Sequence, residues 1–256
     1  MNKSALRIGL MVPANNTTME GELLEWLPQG ATCRTLRIPR QAGLLTKADI
    51  PAYVGQAESL ARAFADEPVD LVVYGCTAAG ILAGPERDAG IAGSLSAITG
   101  SPVVTTANSM VESLRGAHAH DIALVTPYAA EVNGQLKSLL ARSGIAVRRM
   151  SSFEAANVEE LGKIGQDAVV ARARETMDKE CDALFIACSQ LPTRSIVGPL
   201  EKEFKRPVWS SIKATAWRAC ETLGVSLRDE GGENKKISNR TVEFIFTVMQ
   251  ARKWAA

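Results

Sequence analysis

Two cysteines each follow a short apolar run and precede small and polar residues. Cys76 follows the run in "DLVVYGCTAAG" (residues 70–80), and Cys188 follows the run in "DALFIACSQLPT" (residues 182–193). A thiolate in a strand-to-helix loop is stabilised by backbone N–H groups, which lowers its pKa and lets it act as a nucleophile or base. A second thiol that keeps its proton acts as the acid. The two cysteines therefore predict covalent or proton-transfer chemistry.

Polar residues also follow the first apolar run of the chain. In "PANNTTME" they are Asn15, Asn16, Thr17 and Thr18. At least one of the four is expected to cap the next helix, with Thr17 or Thr18 as the candidate. Four polar groups exceed what a cap needs, so the others are predicted to hydrogen-bond a ligand.

Tyr128 follows the corresponding run of the second half of the chain, in "TPYAAEVN". Its ring either packs in the core or presents its hydroxyl to a pocket, and both interpretations stay open. Together with the loops after the two cysteines, these groups would donate hydrogen bonds to an anion, and a small carboxylate fits. The predicted substrate-binding residues are Asn16, Thr77, Ala78, Tyr128, Ser189 and Gln190.

Other catalytic and cofactor sites are not indicated. His118 and His120 directly precede a predicted strand, at its amino end and away from the cysteine loops, which argues against a cysteine–histidine hydrolase. The chain has no "GxGxxG" opening a helix after the first strand and no "GxxxxGK", so no nucleotide cofactor is predicted. The cysteine spacing matches no zinc pattern, so no metal is predicted either.

The elements that must position these residues alternate between short β-rich runs and helical patterns, which indicates βαβ units and parallel sheets. The predicted strands are "RIGLMVP", "TCRTLRI", "DLVVYG", "PVVTT", "DIALVTP", "IAVRRM", "DALFIA" and "RPVWSS". The runs before the two cysteines are apolar throughout, as in strands buried on both faces. Each cysteine then lies just past the carboxyl end of a strand, where open α/β sheets place their ligands.

The second half of the chain repeats the first. The corresponding pairs, in order, are residues 8–13 with 122–127, Cys76 with Cys188, and the proline-led strands at Pro102 and Pro207. This duplication predicts an α/β fold of two pseudo-symmetric, Rossmann-like βαβ halves, each with a mostly parallel four-stranded sheet flanked by helices. A pseudo-two-fold axis between the halves would place the two cysteines opposite each other.

We assign residues 1–115 to the N-terminal half, 116–226 to the C-terminal half and 227–256 to a helical tail. The tail begins with a Gly-Gly and charged linker and carries apolar residues between 242 and 249 that need burial. A helix packed on a neighbouring element or subunit is therefore expected, and with it a homodimer or homotetramer.

Composition limits the partners. The 256 residues include 29 basic and 28 acidic side chains, for a formal charge of +1, so no basic field for nucleic acid or an anionic membrane is present. Five widely spaced cysteines do not form a disulfide framework, which favours a reducing, cytoplasmic location. No segment is long enough to span a bilayer. A small-molecule partner is expected.

Four strand ends carry a family resemblance. Strands ending in "PANNTTME", "YGCTAAG", "VTPY" and "ACSQLPT", in that order over residues 7–225, resemble the Asp/Glu racemase superfamily and, within it, the branch of maleate cis-trans isomerases and arylmalonate decarboxylases. The resemblance implies active-site roles for Asn16, Cys76, Tyr128 and Cys188. It also implies a cofactor-free reaction in which the Cys76 thiolate adds to maleate while Cys188 acts as the acid.

Alternatives within this resemblance stay open. After Cys76 the residues Thr77 to Gly80 are closer to the Cys-Thr pattern of racemases than to the apolar stretch of the isomerases, so a racemase of an amino acid or hydantoin-like compound is the nearest rival. Decarboxylases of the branch carry glycine at the first cysteine position and fit less well. A non-catalytic binding protein is the third hypothesis, and the retention of both thiols argues against it.

Overall fold

The computed structural model describes residues 5–40, 43–228 and 234–235. It contains two four-stranded parallel sheets, one in each half of the chain. The strands of the first sheet are β1 Arg7–Pro13, β2 Thr32–Ile38, β3 Leu71–Tyr74 and β4 Val103–Thr105. Those of the second sheet are β5 Asp121–Thr126, β6 Ala146–Ser152, β7 Ala183–Ile186 and β8 Val208–Ser210. Each of these strands overlaps a run that the sequence predicts.

The two sheets have equivalent topologies. The strand order is β2-β1-β3-β4 in the first sheet and β6-β5-β7-β8 in the second. All neighbouring strands within each sheet are parallel. Each strand of the first half therefore has a counterpart in the same place in the second half, and the predicted fold of two similar α/β halves is confirmed.

Helices connect the strands and cover both faces of the sheets. They are α1 Met19–Trp26, α2 Ile50–Asp66, α3 Thr77–Ala83, α4 Pro85–Thr99, α5 Thr106–Gly116, α6 Ala130–Arg142, α7 Val158–Gly162, α8 Gln166–Thr176, α9 Val197–Phe204 and α10 Ser211–Leu223, with a 3-10 turn at Lys47–Asp49. Because both faces are covered, every residue of β3 and β7 is buried, which explains why these strands read as continuous apolar runs.

The equivalent helices α5 and α10 pack against each other between the halves. Each begins directly after the last strand of its sheet, and its N-terminus is capped by a hydroxyl of that strand. The N–H of Asn108 donates to Thr105 Oγ1, and the N–H of Lys213 donates to Ser210 Oγ. The capped helices that the sequence predicts after these two proline-led strands are thus present, and their contact joins the halves.

The last described residues include paired strands where the sequence predicts the beginning of a linker. Leu227–Arg228 and Asn234–Lys235 pair as two short antiparallel strands, β9 and β10. The apolar segment that is predicted to be helical, between residues 242 and 249, lies outside the described residues. Among the helices of the described ranges, none is both long and apolar enough to cross a membrane.

Candidate active site

A pocket lies at the carboxyl ends of the central strands of both sheets. Its polar and reactive lining residues are Asn15, Asn16, Arg40, Cys76, Tyr128, Cys188, Ser189 and Gln190. Its apolar lining comes from Pro13, Leu44, Leu45, Ala78, Pro127, Ala129, Val132 and Leu161. Both cysteines therefore face one pocket, as the duplication predicts. Of the predicted site residues, Thr77 alone is absent from the lining; it follows Cys76 in the chain and is buried.

Cys76 follows β3 and precedes the first turn of α3. Burial raises the pKa of its thiol above the ordinary value. The groups that lower it are the N–H of Ala79, the hydroxyl of Tyr53, the charge of Arg40 and the N–H of Ala78. The sequence predicts a lowered pKa from the loop amides. These amides do act in that direction, but the loss of solvent outweighs them, so that expectation is wrong in sign.

Cys188 occupies the equivalent position after β7, with a backbone φ of +120°. Its N–H donates to Ser211 Oγ at 2.9 Å, and its Sγ accepts from the N–H of Gln190 at 3.4 Å. Burial raises the pKa of its thiol to about 11, against the lowering effect of the Gln190 N–H and the Tyr128 hydroxyl. Cys188 therefore keeps its proton at neutral pH.

The two thiols influence each other. A negative charge on Cys76 raises the pKa of Cys188 further, so the pair resists double ionisation. Arg40 acts in the opposite direction on Cys76, because its positive charge favours the thiolate there. These charges make Cys76 the favoured thiolate and Cys188 the favoured thiol, which are the protonation states of a nucleophile and an acid.

Asn16 connects the first loop to the second half. Its Oδ1 accepts from the N–H groups of Thr18 and Met19, which caps α1, and its Nδ2 donates to the carbonyl and Oγ of Ser189, both at 3.2 Å. One of the four polar loop residues does cap the helix, as predicted. The capping side chain is that of Asn16 rather than Thr17 or Thr18, because it reaches forward to the first free N–H groups at the start of α1, whereas the Thr18 side chain makes no such bond.

Gln190 and Ser189 also hold the halves together. The Gln190 side chain accepts from the N–H of Thr17 and donates to Thr17 Oγ1, both at 3.0 Å, and its carbonyl accepts from Thr18 Oγ1. Ser189 Oγ donates to the carbonyl of Gly75 at 2.8 Å. These side chains thus position the two cysteine loops relative to each other. Their predicted contact with substrate stays a prediction.

Tyr128 presents a buried hydroxyl that finds no well-formed hydrogen bond among the described residues. The hydroxyl of Thr77 is in the same situation. Burial, reinforced by the nearby thiols, raises the pKa of Tyr128 well above its ordinary value, so the phenol stays protonated. The hydroxyl lies beside Cys188 and Thr77, and a well-aligned acceptor on a bound ligand would give it a stronger hydrogen bond than either of them does. Tyr128 therefore has the properties of an anion-binding residue.

Two residues near the thiols, Arg40 and Tyr53, are not among the predicted site residues. Arg40 lines the pocket just after β2, and its position past a strand end, in "RIPR", is a signal that the sequence does contain. Tyr53 extends from α2, with its hydroxyl beside Cys76. No local pattern around Tyr53 sets it apart from a core aromatic residue. Burial raises its pKa strongly, so this phenol also remains a donor.

Histidines and metal ligands would be further reactive groups for the pocket, and the described residues provide neither there. His118 and His120 precede β5 at its amino end and do not line the pocket, in the placement that the sequence predicts. Across residues 5–40 and 43–228, no group of three or more His, Cys, Asp or Glu side chains is arranged to hold a metal ion. The chemistry of the pocket is thus that of two thiols, phenol and amide donors, and one guanidinium.

Known proteins resemble the chain over most of its length. Maleate isomerase of Nocardia farcinica is 29% identical over 233 residues, which cover 88% of this chain and 93% of that protein. A solved structure of the Nocardia farcinica maleate cis-trans isomerase, a cysteine-to-serine mutant with a covalently bound succinylcysteine intermediate, has a TM-score of 0.79 and 28% identity, covering 87% of this chain and 94% of that chain. Arylmalonate decarboxylase of Bordetella bronchiseptica is 27% identical over 129 residues, or 49% of this chain and 53% of that protein.

A family model extends this similarity to nearly the whole described chain. The model described as arylmalonate decarboxylase matches residues 8–235, which include both sheets and both cysteine loops. The resemblance that the four strand ends suggest is therefore confirmed: the chain belongs to the arylmalonate decarboxylase family.

Proposed function

We propose that this protein is a cofactor-independent cis-trans isomerase that converts maleate to fumarate. The observation that carries the proposal is the presence of two thiols, Cys76 and Cys188, at equivalent strand ends on one pocket. The similarity to maleate isomerases, one of which has been captured with a succinylcysteine, supports the same chemistry. A small dicarboxylate is accordingly the proposed class of substrate.

In the first step, the Cys76 thiolate attacks one alkene carbon of maleate and forms a carbon–sulfur bond. The electron pair of the double bond moves to the neighbouring carbon and into its carboxylate, as an enediolate. Cys188 then gives its proton to that carbon and becomes a thiolate. The product is a succinyl adduct on Cys76, in which the former double bond is a single bond and can rotate.

In the second step, the adduct rotates about the new single bond and the chemistry reverses. The Cys188 thiolate removes a proton from the same carbon and recovers its neutral form. The electron pair re-forms the double bond, now trans, and the bond to Cys76 Sγ breaks. Fumarate leaves and the Cys76 thiolate is restored, so the cycle consumes no proton, electron or cofactor.

The developing negative charge on the substrate carboxylate needs donors that are in place beforehand. The Tyr128 hydroxyl is buried and lacks a well-formed partner among the described residues, and it faces the pocket. The Thr77 hydroxyl lies beside the Tyr128 hydroxyl, and the N–H groups of Ala78 and Ala79 lie beside the Cys76 thiol. Donors fixed by the fold stabilise an enediolate without reorganising during the reaction. We assign these groups to one substrate carboxylate.

Racemisation is the second candidate. The pair of thiols would then exchange protons on opposite faces of an α-carbon, with no covalent bond to the substrate. The residues after Cys76, Thr77 to Gly80, are the feature that favours it. We further propose a homo-oligomer in the cytoplasm, on the basis of the apolar tail and the reduced cysteines that the composition indicates.

The proposal is tested by following maleate with proton NMR in deuterated water. We expect the wild-type protein to produce fumarate, and Cys76→Ala and Cys188→Ala to lower the rate by at least about a thousandfold, since each lacks one half of the thiol pair. Cys33→Ala is the matched control, because Cys33 lies outside the pocket, and it should retain the wild-type rate.

Absence of fumarate formation by the wild-type protein, or activity retained in Cys76→Ala, would refute the isomerase. The same assay with aspartate, glutamate, hydantoins and arylmalonates identifies the alternatives. Exchange of an α-proton with loss of optical activity would indicate a racemase, and release of carbon dioxide from an arylmalonate would indicate a decarboxylase.

A further inference from the structure

Arg40 stands out among the residues of the pocket. It lies two residues past the end of β2, at the same edge of the sheet as the cysteine loops. Of the described residues that line the pocket, Arg40 alone carries a formal charge. The lining residues nearest to it in the sequence, Leu44 and Leu45, are apolar. A lone guanidinium on a largely apolar wall is a binding element for an anion.

The guanidinium is poorly satisfied by the protein. Its Nε is buried and has no hydrogen-bond partner among the described residues, and Nη2 donates to the carbonyl of Gly43. Arg40 takes part in none of the ion pairs that the described residues form. Buried donors of a charged group are almost always paired, so the free Nε calls for an acceptor.

The two arginines of β2, Arg34 and Arg37, differ from Arg40 because their guanidiniums are bound by protein acceptors. Arg34 donates to the carbonyl of Ala63 and forms an ion pair, and Arg37 donates to the carbonyl of Asn16 and pairs with Glu20. These two guanidiniums have a structural role, because they join β2 to the helices beside it. Within residues 5–40 and 43–228, Arg40 has no such partner on a helix, and it lines the pocket instead.

The positive charge of Arg40 also acts on Cys76, the proposed nucleophile. Its charge lowers the pKa of Cys76, and it lowers the pKa of Asp49 on the other side. The carboxylate of Asp49 is already engaged, since its Oδ2 accepts from the N–H and Oγ1 of Thr46. The positive charge therefore lies within interaction range of Cys76, and no ion pair between Arg40 and Asp49 is found among the described residues.

We propose that Arg40 determines the specificity for dicarboxylates by binding the substrate carboxylate that does not occupy the donors around Tyr128. This inference rests on the proposed function. Maleate carries two carboxylates on one side of its double bond, and the donors around Tyr128 satisfy one of them. The second would lie against apolar side chains, where an unpaired charge costs free energy, unless the guanidinium of Arg40 pairs with it.

The test compares maleate with its monoamide, maleamate, which keeps the alkene and one carboxylate but loses the second charge. We expect Arg40→Gln to lower kcat/KM for maleate by about 10- to 150-fold, the effect of losing one hydrogen-bonded charge, mostly through KM. For maleamate the same variant should lower kcat/KM by a clearly smaller factor, because that substrate loses only the effect of the Arg40 charge on the Cys76 thiol. Arg40→Lys should recover part of the loss, since it restores the charge but not the planar fork.

Arg62→Gln is the matched control. It removes the same charge from an exposed position on α2, outside the pocket, and should leave both substrates unaffected. If Arg40→Gln lowers the rates for maleate and maleamate equally, Arg40 acts through Cys76 and the proposal is overturned. An unchanged rate for maleate would overturn it as well.

Binding of saturated analogues separates this proposal from the proposed function. Succinate and its monoamide, succinamate, have no double bond to attack, so calorimetry measures their affinity without turnover. We expect Arg40→Gln to weaken succinate by about 10- to 150-fold and to leave succinamate within about threefold. This result in a protein that does not isomerise maleate would retain Arg40 as the dicarboxylate residue and refute the isomerase. Succinate binding that is absent or independent of Arg40 would overturn the proposal.

Discussion

Cys76 and Cys188 occupy equivalent strand ends but adopt opposite backbone conformations. Cys76 has a φ of −115°, which any residue adopts, whereas Cys188 has a φ of +120°, where side chains are disfavoured. The Cys188 conformation is held by the hydrogen bond from its N–H to Ser211 Oγ and by the N–H of Gln190 on its thiol. The duplication thus preserves the place of the second thiol while its loop follows a different, strained path.

This strain predicts the effect of two substitutions at Cys188. Both Cys188→Ala and Cys188→Gly remove the thiol, but only glycine tolerates the positive φ without strain. Relief of strain is worth roughly 1–3 kcal/mol, and the greater freedom of glycine in the unfolded chain costs about 0.5–1 kcal/mol. We therefore expect Cys188→Gly to be more stable than Cys188→Ala by about 1 kcal/mol, measured as the difference in the free energy of unfolding in urea.

The same pair of substitutions at Cys76 is the control, and the order should reverse. The ordinary φ of Cys76 offers no strain to relieve. Cys76→Gly should therefore be less stable than Cys76→Ala by about 0.5–1 kcal/mol. If alanine is the more stable replacement at both cysteines, Cys188 is not strained.

The raised pKa values of the two thiols predict the pH dependence of the isomerase. Turnover requires Cys76 as thiolate and Cys188 as thiol. Burial raises the pKa of Cys76, so the reactive fraction increases as the pH rises, and Cys188, with a pKa of about 11, loses its proton only at strongly alkaline pH. We expect kcat/KM for maleate to rise by up to about tenfold per pH unit from about pH 7 and to fall only above about pH 10.

Initial rates of fumarate formation measure this profile. A descending limb below about pH 9 would contradict the prediction, because Cys188 would then lose its proton too early. Because the two thiols interact, the limbs report the pair rather than either residue alone.

The fold could be predicted from the sequence because the patterns that indicate its strands are local and occur in both halves of the chain. The central strands β1, β3, β5 and β7 are dense in apolar residues. The correspondence of residues 8–13 with 122–127 and of Cys76 with Cys188 establishes the equivalence of the halves. Once the strands are known, the carboxyl ends of parallel strands must meet at one edge of each sheet. The pocket and its two thiols follow from that rule.

The rest of the site depends on contacts that no local pattern encodes. Tyr53 reaches Cys76 from the middle of α2, and the side chain of Gln190 is taken by Thr17 from the other half. The sign of the thiol pKa shift depends on how completely the folded chain excludes water from Cys76, which the sequence of its loop does not reveal. Arg40 is the exception, since its place past a strand end is visible in the sequence.

A buried carboxyl group outside the pocket predicts a pH-dependent stability. Asp88 on α4 accepts a hydrogen bond from Thr105 Oγ1, while its Oδ1 has no partner among the described residues. Burial raises its pKa from 3.8 to about 6. The folded state therefore favours the protonated form, and the stability from this group is present below about pH 4 and is lost as the pH rises through about 6.

Asp88→Asn removes this titration and keeps an oxygen that can accept from Thr105. We expect the free energy of unfolding of the variant, relative to wild type, to increase between about pH 4 and pH 7, by an amount on the order of 3 kcal/mol. Urea unfolding at several pH values measures it. Asp66→Asn, on an exposed residue at the end of α2, should stay within about 0.5 kcal/mol of wild type. A pH-independent difference for Asp88→Asn would refute the buried titration.

Substitution of Gly80 is expected to disturb packing more than substitution of the other described glycines, because Gly80 lies where α3 approaches α4 and α5. A Cβ at Gly80 would stand 2.5 Å from the Cβ of Ala107 and 2.6 Å from Oδ1 of Asp88, whereas a Cβ at Gly93 on α4 would meet no atom within 4 Å. We expect Gly80→Ala to destabilise the protein by about 1–3 kcal/mol through overpacking, and Gly93→Ala to stabilise it by about 0.4–1 kcal/mol. Since α3 also carries the N–H groups beside Cys76, Gly80→Ala should slow turnover and Gly93→Ala should not. Equal effects of the two alanines on stability and rate would mean that α3 has room to move, and that its approach to Ala107 does not position the thiol.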